Sequence, residues 1–115
     1  MLTLYQAEWC PFSSAVRERL TELGVDFVAR QVAPLPEQRE ELQALAETGE
    51  IPTVHTDEGL VIVGPHAIFA FLATLEQGAH ELAHRELYLE HREARLADAT
   101  SRILEKATPH DGLAA

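Results

Sequence analysis

Among 115 residues there is one cysteine, Cys10. No disulfide can form within one chain, which excludes both a disulfide-stapled fold and a dithiol redox couple. Basic residues are also few, nine against nineteen acidic ones, for a formal charge of -10. Such a surface repels phosphate backbones and anionic membranes, so neither nucleic acid nor a membrane is an expected partner. Long apolar runs are missing: the longest, residues 67–73, falls far short of the roughly 18 residues that a membrane-spanning helix needs. The first residues carry Glu8 and no basic cluster, so a secretory leader is not expected and the cytoplasm is the expected location. Aromatic residues are sparse, and the single tryptophan, Trp9, stands directly before the cysteine.

What is present suits one globular domain with a single core. Thr3, Leu4 and Tyr5 favour a strand, and Phe12, Ala15, Val16, Leu20 and Leu23 then recur at helical spacing. Cys10 should therefore be the N-cap of a helix with Pro11 at its first position. The unpaired N–H groups and positive dipole end of such a helix stabilise a thiolate, the form that attacks disulfides and binds metals. The alternative for a lone cysteine is a small buried hydrophobe. Gly24 should end the helix in the left-handed conformation. A mostly buried strand is expected over 26–32, and a loop at Ala33-Pro34-Leu35-Pro36. A short helix should run over 37–47, with Leu42, Leu45 and Ala46 inward and Gly49 closing it. Residues 50–56 lead into a third strand, Asp57-Glu58-Gly59 is a turn, and 60–63 form the fourth strand of an antiparallel hairpin. Gly64-Pro65 opens a heavily buried helix carrying Ile68, Phe69, Phe71, Leu72 and Leu75, stopped by Gln77-Gly78.

A charged helix over 79–107 should follow, then a frayed tail over 108–115. In that helix Leu82, Leu89, Leu96 and Ile103 recur every seven residues, but their companions are mostly arginine and glutamate. Half a coiled-coil seam is absent, so the expectation is a monomer or weak homodimer with this helix docked on its own domain. Glu81 with Arg85, and Asp98 with Arg102, support a solvated face. His80-Glu81-Leu82-Ala83-His84, with His91 seven residues on, matches a zinc-protease pattern, but solvated histidines are the preferred reading and no metal site is expected.

Strand, helix, strand, helix, hairpin, helix is an order that resembles the thioredoxin fold, an α/β fold with a mixed four-stranded sheet, here over residues 1–78 with the long helix appended. Three landmarks add a residue-level likeness to glutaredoxins and to the N-terminal domains of glutathione transferases. Trp9-Cys10-Pro11-Phe12-Ser13 is similar to the glutaredoxin Cys-Pro-Tyr-Cys with serine for the second cysteine, and close to the Cys-Pro-Phe-Ser of dehydroascorbate reductases. Ile51-Pro52-Thr53-Val54 is similar to the family's cis-proline before the third strand, and Gly64-Pro65-His66-Ala67-Ile68 occupies the place of its Gly-Ser-Asp or Glu-Ser-Arg-Ala-Ile turn.

The resemblance implies that Cys10 is the nucleophile, that Ile51 before a cis Pro52 pairs with the cysteinyl part of glutathione, and that Gly64, His66 and the turn around them hold its glutamyl carboxylate. Because Pro65 has no N–H, that anion would rest on the N–H groups of His66 and Ala67. Trp9, Pro11 and Phe12 would line the substrate site; Trp9 reads either as a cover or docking surface for the thiol or as a buried aromatic. Ser13 either hydrogen-bonds the thiolate or satisfies the first helical turn. The family's lysine before the cysteine is absent, and Glu8 should raise the thiol pKa. With one sulfur, the expected activity is monothiol reduction of mixed disulfides with glutathione or another small thiol. The other classes are an iron–sulfur cluster shared between two chains, a non-catalytic interaction module, and a transferase-like activity that one appended helix is too little to complete.

Overall fold

The computed structural model describes residues 1–76 and 78–93. Four strands, β1 (Leu2–Gln6), β2 (Phe27–Gln31), β3 (Thr53–His55) and β4 (Val61–Val63), form one sheet in the order β2-β1-β3-β4. β1 pairs parallel to β2 and antiparallel to β3, which pairs antiparallel to β4. With the helices α1 (Pro11–Leu23), α2 (Glu40–Ala46) and α3 (Pro65–Leu72) between and after the strands, this is the thioredoxin-like fold.

Alternation along β1 decides what each face of the sheet meets. Leu2 and Leu4 join Val54, the α1 residues Val16, Leu20 and Leu23, and the α3 residues Ile68 and Leu72 in one buried cluster. On the other face, Tyr5 donates its hydroxyl to Glu41 Oε1 of α2 at 3.4 Å. Gly24 takes φ +70° and ends α1 as expected, with Val25 N–H donating to Leu20 O at 2.9 Å.

Packing overrides the expected patterns in five places. On α1, Val16, Leu20 and Leu23 are buried as expected, but Phe12 and Ala15 are exposed and Ser13 is buried in the first turn instead. β2 is an edge strand of the sheet, paired on one side only, and is largely exposed rather than buried. The 37–47 helix divides into a 3-10 turn (Pro36–Gln38) and α2. Arg39 interrupts it because its buried guanidinium donates to the carbonyls of Ala33 (2.8 Å), Pro34 (2.9 Å) and Gly49 (2.7 Å). Glu47, at φ +60°, caps α2 in place of Gly49; Gly49 instead passes so close to Pro36 that a Cβ would lie 2.5 Å from its carbonyl oxygen. α3 ends at Leu72 and buries only Ile68 and Leu72 fully, with Phe71 and Leu75 half-buried and Phe69 exposed.

Met1–Glu81 form one compact unit, and the chain from Leu82 belongs to a second. α4 (Glu81–Glu93) is the last described helix; its Leu82, Leu87 and Leu89 are exposed. The expected continuation to residue 107, with Leu96, Ile103 and the Asp98–Arg102 pair, and the 108–115 tail lie outside the described residues. Among the described residues no helix is long and apolar enough to cross a membrane.

Candidate active site around Cys10

β1 ends at Gln6, the chain turns through Ala7, Glu8 and Trp9, and Cys10 N–H donates to Ala7 O at 3.1 Å. Cys10 is extended (φ -78°, ψ 119°) and is the N-cap of α1, with Pro11 as the first helical residue. Its sulfur accepts the Ser13 N–H at 3.4 Å, filling the role that serine or aspartate oxygens play at most helix starts. Ser13 Oγ accepts the Ala7 N–H at 3.5 Å, which leaves the hydroxyl hydrogen for the sulfur.

Burial pushes the Cys10 thiol up, but hydrogen bonds from the Ser13 hydroxyl and from the N–H groups of Ser13 and Phe12, together with the Arg17 charge, outweigh it and hold the thiol below its ordinary range. Against the expectation that Glu8 keeps the thiol high, its exposed carboxylate pairs with Arg17 at 3.1 Å and offsets part of that cation, and the thiol still stands below its ordinary range. Arg17, whose charge helps to lower the thiol, escaped the sequence reading. It lies seven residues, two helical turns, after Cys10 and so on the same helix face. Its guanidinium also donates to the fully buried Gln6 side chain, whose amide donates to Gln31 Oε1 at 3.0 Å. Replacing Arg17 with glutamine removes a cation, so the pH midpoint of Cys10 alkylation is expected to move up. Glu8→Gln, which frees Arg17, is expected to move it down. Alkylation rates across pH check both signs.

The sheet register gathers the remaining landmarks at one end. Tyr5 faces Thr53, and Thr53 faces Val63, so the C-terminal ends of β1 and β4 and the N-terminal end of β3 coincide. Cys10, the cis Ile51-Pro52 bond and the start of α3 therefore share that end. Gly64 N–H donates to Pro52 O at 2.9 Å, Pro52 is buried and Ile51 half-buried. Gly64, at φ +89°, precedes α3 with no side-chain cap; His66 and Ala67 are exposed in its first turn. Trp9 and Phe12 are 68% and 57% exposed, so Trp9 is not a buried aromatic and the two form apolar surface beside the thiol. His80, His84 and His91 are exposed, and among the described residues no three His, Cys, Asp or Glu side chains group to hold a metal ion.

The glutaredoxin family profile matches residues 2–61, more than half of the chain. The chain belongs to the glutaredoxin family. A relative of this glutaredoxin domain, an uncharacterized glutaredoxin-like 8.6 kDa protein in the rubredoxin operon of Clostridium pasteurianum, is 33% identical over 64 residues, 56% of this chain and 84% of that protein. Among solved structures, glutathione transferase F7 from Populus trichocarpa is 26% identical with a TM-score of 0.56, over 64% of this chain and 35% of that one. A glutathione transferase homologue from Sulfitobacter with bound glutathione shares the fold at 20% identity, with a TM-score of 0.54 over 64% of this chain and 36% of that one. This chain thus spans little more than a third of those two transferases. Family and fold together support a thiol-oxidoreductase-like role for the glutaredoxin domain.

Proposed function

We propose that the protein is a monothiol disulfide oxidoreductase that uses Cys10 to reduce mixed disulfides at the expense of a small thiol, glutathione being the one that the family likeness suggests. The observation that carries this reading is the Cys10 sulfur capping α1, under hydrogen bonds from Ser13 and beside Arg17, in a chain with no second cysteine.

The Cys10 thiolate attacks the small-thiol sulfur of a mixed disulfide. An S–S bond forms at Cys10 as the substrate S–S bond breaks, and the substrate leaves as a thiolate that takes a proton from water. A second small thiol, as its thiolate, then attacks the small-thiol sulfur of the Cys10 adduct. It releases the Cys10 thiolate and forms the small-molecule disulfide. Each turnover converts one mixed disulfide and one free small thiol into the substrate thiol and the small-molecule disulfide, and no internal disulfide is needed. Ser13 and the N–H groups at the start of α1 stabilise the sulfur anion both as nucleophile and as leaving group.

Incubation with glutathione disulfide or bis(2-hydroxyethyl) disulfide, followed by intact-mass measurement, tests this. One adduct per chain, removed by excess thiol and accompanied by turnover of a mixed disulfide, is expected. A chain that forms no adduct with either reagent refutes the reading.

A further inference from the structure

α3 has no acidic residue in its first turn and no side chain capping it. The N–H groups of His66 and Ala67 begin the helix after Pro65, which has none. The room above buried Gly64 is nevertheless occupied by an acid. The Glu50 carboxylate oxygens lie 3.6 and 4.0 Å from the point where a Gly64 side chain would begin. The backbone of Glu50 is anchored from both sides: its N–H donates to Thr48 Oγ1 at 3.3 Å, and its carbonyl accepts the Thr53 hydroxyl at 2.8 Å. The preceding residue, Gly49, is held through the Arg39 contact to its carbonyl. The Gly64 N–H bond to Pro52 O then ties the start of α3 to the same strand entry.

We infer that Glu50 is a specificity-determining residue that makes the protein favour small disulfides and thiols without a negative charge over anionic ones. This rests on the Cys10 exchange reading and refines which small thiol that site takes. A ligand joined to Cys10 extends over the sheet end where α3 begins. A carboxylate on its far end is drawn to the helix N–H groups but meets the like charge of Glu50 already there. A hydroxyl or ammonium meets none of that repulsion. Among the described residues the cation that acts on the thiol, Arg17, is already engaged by the Glu8 carboxylate and the Gln6 side chain. His66 is a further titratable group at this end, exposed in the first turn of α3. Because Glu50 is exposed, the discrimination is modest and screened by salt.

Rates of Cys10 adduct formation with glutathione disulfide (anionic), bis(2-hydroxyethyl) disulfide (neutral) and cystamine (cationic) are compared in the full chain, in Glu50→Gln and in Asp26→Asn. Asp26 lies just before β2, at the opposite end of the sheet from Cys10. In Glu50→Gln the ratio of the anionic to the neutral rate is expected to rise about twofold to fivefold, as for an exposed charge worth up to about 1 kcal/mol. The cationic-to-neutral ratio should fall, and both changes should shrink at high salt. Ratios that stay put in Glu50→Gln, or that move equally in Asp26→Asn, overturn the inference while leaving thiol exchange intact. Absence of any adduct with all three reagents overturns both.

Discussion

Cys10→Ser is expected to lose adduct formation outright and mixed-disulfide turnover by at least about a thousandfold, because a serine hydroxyl is not ionised near neutral pH and cannot join a disulfide. The fold should survive. Serine is a preferred N-cap, and its oxygen can accept the Ser13 N–H that the sulfur accepts now, so stability should change by less than about 1 kcal/mol. Cys10→Ala is the informative companion. It removes the cap acceptor as well as the nucleophile and is expected to cost about 0.5–2 kcal/mol. Urea unfolding of both variants, beside turnover assays, separates the two roles of this atom. A Cys10→Ser protein that is folded and fully active would refute the mechanism.

Arg39→Ala is expected to be strongly destabilising. The Arg39 side chain is 6% exposed and donates to three carbonyls, two in the Ala33-Pro34 turn and one on Gly49. Truncation removes three charge-assisted bonds and strands the buried Gly49 acceptor. About 3 kcal/mol is expected, below the sum of the three bonds because water can reach the turn. For a domain of this size that lowers the melting temperature by roughly 10–20 °C. Arg39→Lys should recover only part of the loss, since one ammonium does not match a planar fork reaching three carbonyls. Gly49 leads directly to Glu50, Ile51 and Pro52, so below the melting transition the variant should also react more slowly at Cys10 with extended disulfides than with iodoacetamide. A melting temperature within a few degrees of the parent would show that the three bonds carry no net stabilisation.

Much of the site was legible because its signals are local. Cys10 and Pro11 after a strand specify an N-cap and first helical position whatever surrounds them, and the capped sulfur is found there. Gly24 ends α1 and Asp57-Glu58-Gly59 turns the hairpin through rules spanning a few residues. Apolar spacing was a weaker guide to what is buried. Phe12 and Phe69 fit a helical stripe yet face outward, because the face that packs on the sheet passes through Ser13, Val16 and Leu20 on α1 and through Ile68 and Leu72 on α3.

By itself the amino-acid sequence determined the order of elements and the single thiol, and with it the exclusion of any internal disulfide, since these depend on composition and on neighbours along the chain. The tertiary structure alone decided the charge environment of that thiol. Glu8 reads as an acid beside a cysteine until α1 brings Arg17 back to meet it. Gln6 is enclosed by Gln31 and Arg17 only once the chain has folded. Arg39 and Glu50 carry no signal along the chain; folding sets one onto Gly49 and the other over Gly64. Electrostatics and burial depend on distance in space, and the partners that matter here lie 9 to 25 residues apart along the chain.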